Sequence, residues 1–321
     1  MTLGYLGWRL LQVVPTAGAI LLIGFLLIHV APGDPVVALA GESGDAEYYA
    51  FIRERFRLDE PLPEQLATYV GRVLQGDLGT SYLQGRPVSE VITERIPATL
   101  LLSVTALVLS SIIGIALGGY AANRPHGLRD FAASGASLTI YAAPVFWVGQ
   151  LAILALAAGL GWFPVQGMRS AGSEANGLAA ALDVAHHLAL PALVLASQEI
   201  AAVFRLTRVG LLDELGSDHV RTARAKGLSN RRVLVKHALR RPLVPVVTVI
   251  GGRAGHVLSG AIVTEIVFGW PGLGRLLLSS LQTRDTPVVL GIFLVVAFFV
   301  ILANVGTDLT YRWLDPRVRY R

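Results

Sequence analysis

Several stretches of this chain contain no charged residue and are long enough to cross a lipid bilayer. Three of them run over 96–123 (28 residues), 131–168 (38 residues) and 286–307 (22 residues). A helix needs roughly 20 apolar residues to span a hydrocarbon core of about 30 Å. The sequence therefore predicts a polytopic membrane protein and excludes a soluble enzyme, a secreted disulfide scaffold and a disordered chain.

The composition agrees with this class. Of the 321 residues, 53% are hydrophobic and only 15% are charged, whereas soluble domains average about 25% charged residues. The chain has no cysteine, which excludes disulfides, cysteine-bound metals and thiol chemistry. The basic residues behind the net charge of +5 cluster between apolar runs, a pattern typical of membrane topology rather than of nucleic-acid binding.

The basic clusters also predict how the chain crosses the membrane. Segment 205–241 has ten basic and three acidic residues, and the tail after Tyr311 has four and one. Both are expected in the cytoplasm, which requires an even number of crossings between them. The fifth span must therefore cross despite its charged residues. We predict an all-α protein with both termini cytoplasmic and six spans, at about 10–31, 97–122, 131–160, 187–207, 242–268 and 286–310.

An extracytoplasmic insertion, 32–96, is expected after the first span. It has eleven acidic and six basic residues, so its charge does not oppose export. Stretches 48–57 and 63–74 have the pattern of short amphipathic helices, and the apolar content predicts an ordered segment. A cleaved signal peptide is the alternative reading of the first apolar run, although its length of about 22 residues exceeds the usual core of roughly 7–15.

No pattern for catalysis or nucleotide binding occurs in the sequence. It lacks a His-Glu-x-x-His metal motif, a Gly-x-Ser-x-Gly nucleophile motif and a phosphate-binding loop. The only adjacent histidines, His186 and His187, lie at the expected outer edge of the fourth span, where polar anchors are common. The chain is expected to bind no cofactor and not to hydrolyse ATP by itself.

The basic segment 213–240, between the fourth and fifth spans, is the most informative. Ser217 or Asp218 can cap a helix, Gly227 suits the left-handed residue that ends it, and Ser229 can cap a second helix. This pattern predicts two short helices joined at a glycine elbow along the cytoplasmic membrane face. Taken alone, it fits an anchor for anionic headgroups, while the small residues among the charges fit a docking surface.

Short motifs follow one another along the whole chain. They are PGDP at 32–35, GDLGTS at 76–81, RIPATL at 95–100, RTARAKGL at 221–228, WPGLGR at 270–275, RDTP at 284–287 and DPRVR at 315–319. In this order and spacing they resemble the permease subunits of ATP-binding-cassette importers of the dipeptide, oligopeptide and nickel class. One departure is Arg241-Pro242, where the family usually has Asn and a small residue, so the entry to the fifth span is expected to differ locally.

The resemblance implies a coupling helix that contacts an ATPase subunit. Its candidate residues are Arg221, Thr222, Ala223, Arg224, Ala225, Lys226 and Gly227. The small residues predict that Ala223→Glu would abolish coupling while leaving the fold intact. An external docking surface for a substrate-binding protein is also implied. Its candidates are Trp270, Pro271, Gly272 and Arg275.

The implied function is half of the translocation path of an ATP-driven peptide importer in the bacterial inner membrane. The implied partners are a second related permease, two ATPase subunits that hold ATP and magnesium, an extracytoplasmic binding protein and membrane lipids, without nucleic acid. Nickel chelates and glutathione are alternative cargoes. A stand-alone channel or a membrane scaffold is the alternative from another functional class.

Three charged residues inside predicted spans, Glu199, Arg253 and Glu265, are candidates for the translocation path. Counted at 1.5 Å per residue, Glu199 lies about 12 Å and Arg253 about 16 Å from the inner edge of the membrane, whereas Glu265 lies about 18 Å from Arg253 along one helix. Charges at such depth normally pair or line a cavity. We therefore predict an ion pair between Glu199 and Arg253; the alternative is that each lines the path separately.

Gly114-x-x-x-Gly118 and Gly251-x-x-x-Gly255 predict close helix packing.

Overall fold

The structure is a computed structural model of the chain. It describes residues 15, 18–19, 21–26, 36, 44–55, 59–81, 83–173 and 176–314, without the side chains at 254–256, 258–260, 304 and 307–314. These residues form helices and loops, and their one extended pairing is an isolated bridge between Thr80 and Pro87. The predicted all-α class is confirmed for this part of the chain. Most of the predicted first span and the PGDP and DPRVR motifs lie outside the described residues, as does the packing around Gly255.

The helices have these bounds: α1 Ala46–Arg55, α2 Leu62–Leu74, α3 Val88–Thr93, α4 Ile96–Ala122, α5 Leu128–Ala142, α6 Val145–Ala152, α7 Gly177–Leu215, α8 Asp218–Ala225, α9 Asn230–Arg232, α10 Leu243–Val267, α11 Leu273–Gln282 and α12 Thr286–Leu314. Wider π-type turns extend α6 over Ile153–Gly159 and α9 over Val233–Ala238. Helices α1 and α2 are the two short helices predicted for the insertion.

Several of these helices are long and apolar enough to cross a membrane. Among the described residues, three pass by length and composition: Val88–Ala122, Gly177–Leu215 and Thr286–Ala303. A fourth crossing results if α5 and the α6 segment count as one. Helix α10 is continuous through Arg253, and its part Leu243–Arg253 is a shorter apolar helix.

The region predicted as the third span is a bent pair of helices rather than one straight helix. Helix α5 and the segment Val145–Gly159 meet at 107°. The bend follows from Pro144, because proline lacks a backbone donor and forces the preceding residue, Ala143 (ψ 136°), into an extended conformation. The side-chain amide of Gln198 donates to the carbonyls of Ile140 and Ala143, at 3.4 and 3.2 Å, and so adds hydrogen bonds at the break.

The described residues divide into two compact units, of which the first contains residues 1–99 and 271–301. Its core includes Val36, Ile52 and Leu290, with the rings of Tyr48 and Tyr69 packed against it. Helix α3 lies close to α12, since a Cβ at Gly291 would come within 2.7 Å of Val88 and 2.8 Å of Ile92. The short helices of the insertion thus pack as ordered structure against the start of α12.

The second unit contains residues 100–270 and 302–321. Helix α4 packs directly on α7 at two glycines: a Cβ at Gly114 would lie 2.6 Å from Cβ of Val203, and one at Gly118 would lie 2.7 Å from Cβ of Thr207. The predicted role of this glycine pair in helix packing is confirmed. A separate apolar cluster joins Phe268 to residues of α7 and of the α6 segment.

Candidate functional site

The basic hairpin, residues 217–238, has the helix, glycine elbow and helix that the sequence predicts. Helix α8 ends at Ala225, and Gly227, two residues later, adopts φ +75°, the left-handed conformation that glycine enters without steric penalty. Ser217 occupies the N-cap position, but its hydroxyl donates to the carbonyl of Glu214 at 2.6 Å instead of capping α8. The predicted side-chain cap at Ser217 is therefore absent, because the hydroxyl ties the end of α7 to the hairpin.

One face of the hairpin is buried against the rest of its own unit. Val220 and Ala223 of α8 pack in a cluster with Ala122, Leu211 and Val233. The sequence-based expectation placed Ala223 at a docking surface, where Ala223→Glu would spare the fold. The structure corrects this, because the side chain of Ala223 is 5% exposed and a glutamate there would enter the apolar cluster.

The opposite face of the hairpin is exposed and basic. The exposed side chains on it are those of Arg221, Thr222, Arg224, Ala225 and Lys226. Arg221 forms an ion pair with Asp218, at 3.6 Å, which is solvent-exposed and contributes little to stability. The face therefore carries positive charge around the small side chain of Ala225 and is free to contact an acidic partner surface.

Glu214 connects this hairpin to two long helices. Located near the end of α7, its carboxylate pairs with Arg241, just before α10, and with His219 of α8, both at 3.1 Å. Close by, a Cβ at Gly210 would lie 2.9 Å from Pro242, so the two helices need glycine there to approach. Sequence reasoning noted Arg241-Pro242 as a departure from the family but missed Glu214 and Gly210 as the residues that accommodate it.

The predicted ion pair between α7 and α10 is confirmed. Nη1 of Arg253 donates to Oε2 of Glu199 at 2.7 Å, and the side chains are 30% and 12% exposed. The third charged candidate, Glu265, is completely buried and lines no open space. The structure thus brings two of the three path candidates together and separates the third.

A second ion pair on α7 was missed by sequence reasoning. Nε and Nη2 of Arg208 donate to the two carboxylate oxygens of Asp130, at 2.5 and 2.6 Å, and the amide of His126 donates to the same carboxylate at 2.9 Å. Asp130 lies at the start of α5 and is 3% exposed. The burial of Asp130 results from the packing of α5 on α7, which no local sequence pattern indicates.

The residues proposed for external docking differ sharply in exposure. Trp270 is completely buried and Gly272 is buried as well, whereas Arg275 is exposed. The amide of Trp270 donates to the carbonyl of Glu265 at 2.9 Å, which closes the turn after α10. Burial excludes Trp270 and Gly272 as direct contacts of a docked protein, so Arg275 is the charged candidate that remains.

Two pairs of sequence motifs meet in the first unit. The hydroxyl of Ser81 donates to the carboxylate of Asp285 at 2.5 Å, and Asp285 is buried. The amide of Leu273, at the start of α11, donates to the hydroxyl of Thr99 at 2.8 Å. These bonds join GDLGTS to RDTP and RIPATL to WPGLGR across more than 170 residues.

The first unit also encloses a cavity of about 130 Å³ between the insertion helices and the start of α12. Tyr48, Phe51, Tyr69 and Leu290 are among the residues that line it. Burial raises the pKa of the Tyr69 hydroxyl above its usual range. Among the described residues, no group of three or more His, Cys, Asp or Glu side chains could hold a metal ion.

The comparisons with known proteins agree with the motifs. The family of binding-protein-dependent transport system inner membrane components matches residues 114–320, and the N-terminal part of such membrane components matches residues 3–103. The chain is 40% identical to the dipeptide transport system permease protein DppB of Escherichia coli (strain K12), with 98% of each chain covered. It is 38% identical to the glutathione transport system permease protein GsiC of Salmonella choleraesuis (strain SC-B67), with 99% of this chain and 100% of that chain covered.

A solved structure shows the same fold. A chain of the MetNI methionine ABC transporter in an inward-facing conformation aligns with a TM-score of 0.52 at 16% identity, over 70% of this chain and 96% of that chain. The resemblance inferred from the motifs is confirmed by these matches along the chain. This protein belongs to the family of binding-protein-dependent transport system inner membrane components.

Proposed function

We propose that this chain forms half of the translocation path of an ATP-driven importer of peptides. The observation that carries the proposal is its 40% identity to a dipeptide permease along nearly the full length of both chains. The chain is an inner-membrane transporter component with apolar helices that can cross the membrane. Import of glutathione, itself a short peptide, is the alternative favoured by the similarity to GsiC.

The proposed topology has six spans, cytoplasmic termini and an external insertion at 32–96. The charge distribution supports it, since the basic hairpin and the tail both fit the cytoplasmic side. The insertion and Arg275 would then face the extracytoplasmic binding protein. A second, related permease would complete the path, and membrane lipids would surround both subunits.

In this proposal the exposed face of α8 docks on one of two ATPase subunits. ATP and magnesium would bind those partners, so this chain would hold no cofactor and perform no catalysis. Closure of the ATPase pair would move α8, and Glu214 would transmit the motion to α7 and α10. Differential binding of ATP to the two states of the complex would then drive alternating access.

The test replaces alanines on the two faces of α8. Ala225→Glu, on the exposed face, should abolish dipeptide uptake and peptide-coupled ATP hydrolysis, because it places an acidic group where an acidic partner surface is expected. The free energy of unfolding should change by less than about 0.5 kcal/mol, as for most surface substitutions. Ala223→Glu should instead reduce the amount of folded chain in the membrane, because it buries an unpaired charge.

Ala50→Glu in α1 is the matched control, since Ala50 is an exposed helical alanine in the insertion. It should leave ATPase binding unchanged. Normal uptake by the Ala225→Glu variant would return the hairpin to the role of a lipid anchor. Purification of the intact membrane complex without any ATPase subunit would favour the stand-alone channel or scaffold.

A further inference from the structure

The guanidinium of Arg253 has more hydrogen-bond donors than partners. Among the residues whose side chains the structure describes, it makes one bond, to Glu199 at 2.7 Å, although a guanidinium carries five N–H donors. Its side chain is 30% exposed in the middle of a long apolar helix. With respect to the side chains that the structure describes, the other N–H groups of Arg253 are available to another group.

Open space adjoins this pair. A Cβ built on Gly252, the residue before Arg253, meets no atom within 4 Å. By contrast, the carboxylate of Asp130 accepts both bonds of Arg208 and a backbone amide, and it is almost completely buried. The same helix α7 thus carries one closed ion pair and one pair with an open side.

The open pair presents one anion and one cation side by side. A guanidinium fork matches a carboxylate with two parallel bonds, and a carboxylate binds an ammonium group. A molecule with both charges could therefore replace one internal ion pair by two new ones. No charge inside the span would then remain unpaired.

We propose that Glu199 and Arg253 bind the two charged ends of a zwitterionic cargo, the carboxylate at Arg253 and the ammonium at Glu199. This inference rests on the proposed peptide import and names the chemistry that the path would recognise. Peptides of two or three residues span about 7–11 Å when extended, a distance that rotation of these long side chains can open. Without cargo, the two residues close on each other and the site is neutral.

The test uses the absence of cysteine from this chain. Gly252→Cys introduces a single thiol beside Arg253 and leaves the ion pair intact. In the purified complex, without the binding protein, we expect a charged water-soluble thiol reagent to modify this cysteine. Dialanine should slow the modification at least threefold, whereas N-acetyl-dialanine amide, which lacks both charged ends, should have no effect.

Arg253→Gln in the Gly252→Cys background should raise the dialanine concentration needed for protection by at least about tenfold, the loss expected for one charge-assisted hydrogen bond. Val209→Cys, an exposed position on α7, is the control and should show no protection by either compound. Copurification of the ATPase subunits verifies that each variant is assembled.

Three outcomes would overturn the inference: no modification at Gly252→Cys, equal protection by both compounds, or full protection in the Arg253→Gln background. Uptake by the unmodified transporter separates this failure from that of the proposed function. If it imports dialanine but Gly252→Cys shows no protection, only the inference is wrong. If it imports no peptide at all, the proposed function is wrong.

Discussion

Two of the ion pairs on helix α7, Asp130–Arg208 and Glu199–Arg253, differ in how completely each is enclosed. At Asp130, two guanidinium bonds and one backbone amide satisfy the carboxylate, and its side chain is 5% exposed. At Glu199, a single bond from Arg253 is present and the arginine keeps an open edge. The first pair joins α7 to α5 in a fixed geometry, whereas the second joins α7 to α10 beside open space.

This difference predicts a structural role for one pair and a functional role for the other, although both lie on the same helix. A bidentate, buried pair loses much free energy when one member is removed, because the other remains as an uncompensated charge. A partly exposed pair with a single bond loses less, since water can solvate the remaining group. The closed pair is therefore expected to hold the fold and the open pair to act in transport.

The largest effect is expected for Arg208→Gln. It should destabilise the chain by about 3–5 kcal/mol, because Asp130 stays buried without its guanidinium. Thermal unfolding of the purified complex, compared with the unmodified chain, measures the loss. The double variant Asp130→Asn with Arg208→Gln should recover part of it, since neither residue is then charged. If the free energy of unfolding of the single variant fell by less than about 1 kcal/mol, the Asp130–Arg208 pair would have no special structural role compared with the Glu199–Arg253 pair.

An intermediate effect on the free energy of unfolding is expected for Gly118→Ala. This substitution disturbs the packing of α4 on α7, the helix that carries the closed pair, Asp130–Arg208. The added Cβ would lie 2.7 Å from Cβ of Thr207 and 2.9 Å from the carbonyl oxygen of Phe204. Overpacking of this kind costs about 1–3 kcal/mol. Gly135→Ala is the control, because a Cβ there meets no atom within 4 Å.

The same substitution should leave the open pair unchanged. We expect the rate of thiol modification at Gly252→Cys to be equal with and without Gly118→Ala. A changed rate would show that one rigid arrangement of α7 governs both pairs, so that they could not be assigned separate roles.

The smallest effect on stability is expected for the double variant Glu199→Gln with Arg253→Gln. It removes the open pair without leaving a charge behind, so the free energy of unfolding should change by less than about 1 kcal/mol. Dipeptide uptake should nevertheless fall. The measurement is thermal unfolding beside uptake on the same preparation. A loss of stability as large as that of Arg208→Gln would make this pair a structural link.

Much of the site could be predicted because the sequence patterns behind it are local, or because they follow from the depth of a residue in the membrane. The left-handed φ at Gly227 follows from the glycine that ends a helix, and the Glu199–Arg253 pair follows from counting residues along two spans whose direction the basic clusters predict. The Asp130–Arg208 pair offered no such count. Asp130 lies next to a short loop instead of deep inside a predicted span, and 78 residues separate it from its partner.

The sequence alone determined the membrane class, the family and the helix–glycine–helix form of the basic hairpin. Each follows from a pattern that is visible along the chain itself: long uncharged runs, the order of short motifs, and residues that favour turns. Only the tertiary structure decided which face of α8 is buried, since Ala223 and Ala225 are equivalent until α8 meets Leu211 and Val233. The Asp130–Arg208 pair likewise depends on a contact between two helices that are distant along the chain. The burial of a side chain depends on the residues that surround it in the folded protein, and the sequence alone does not indicate which residues those are.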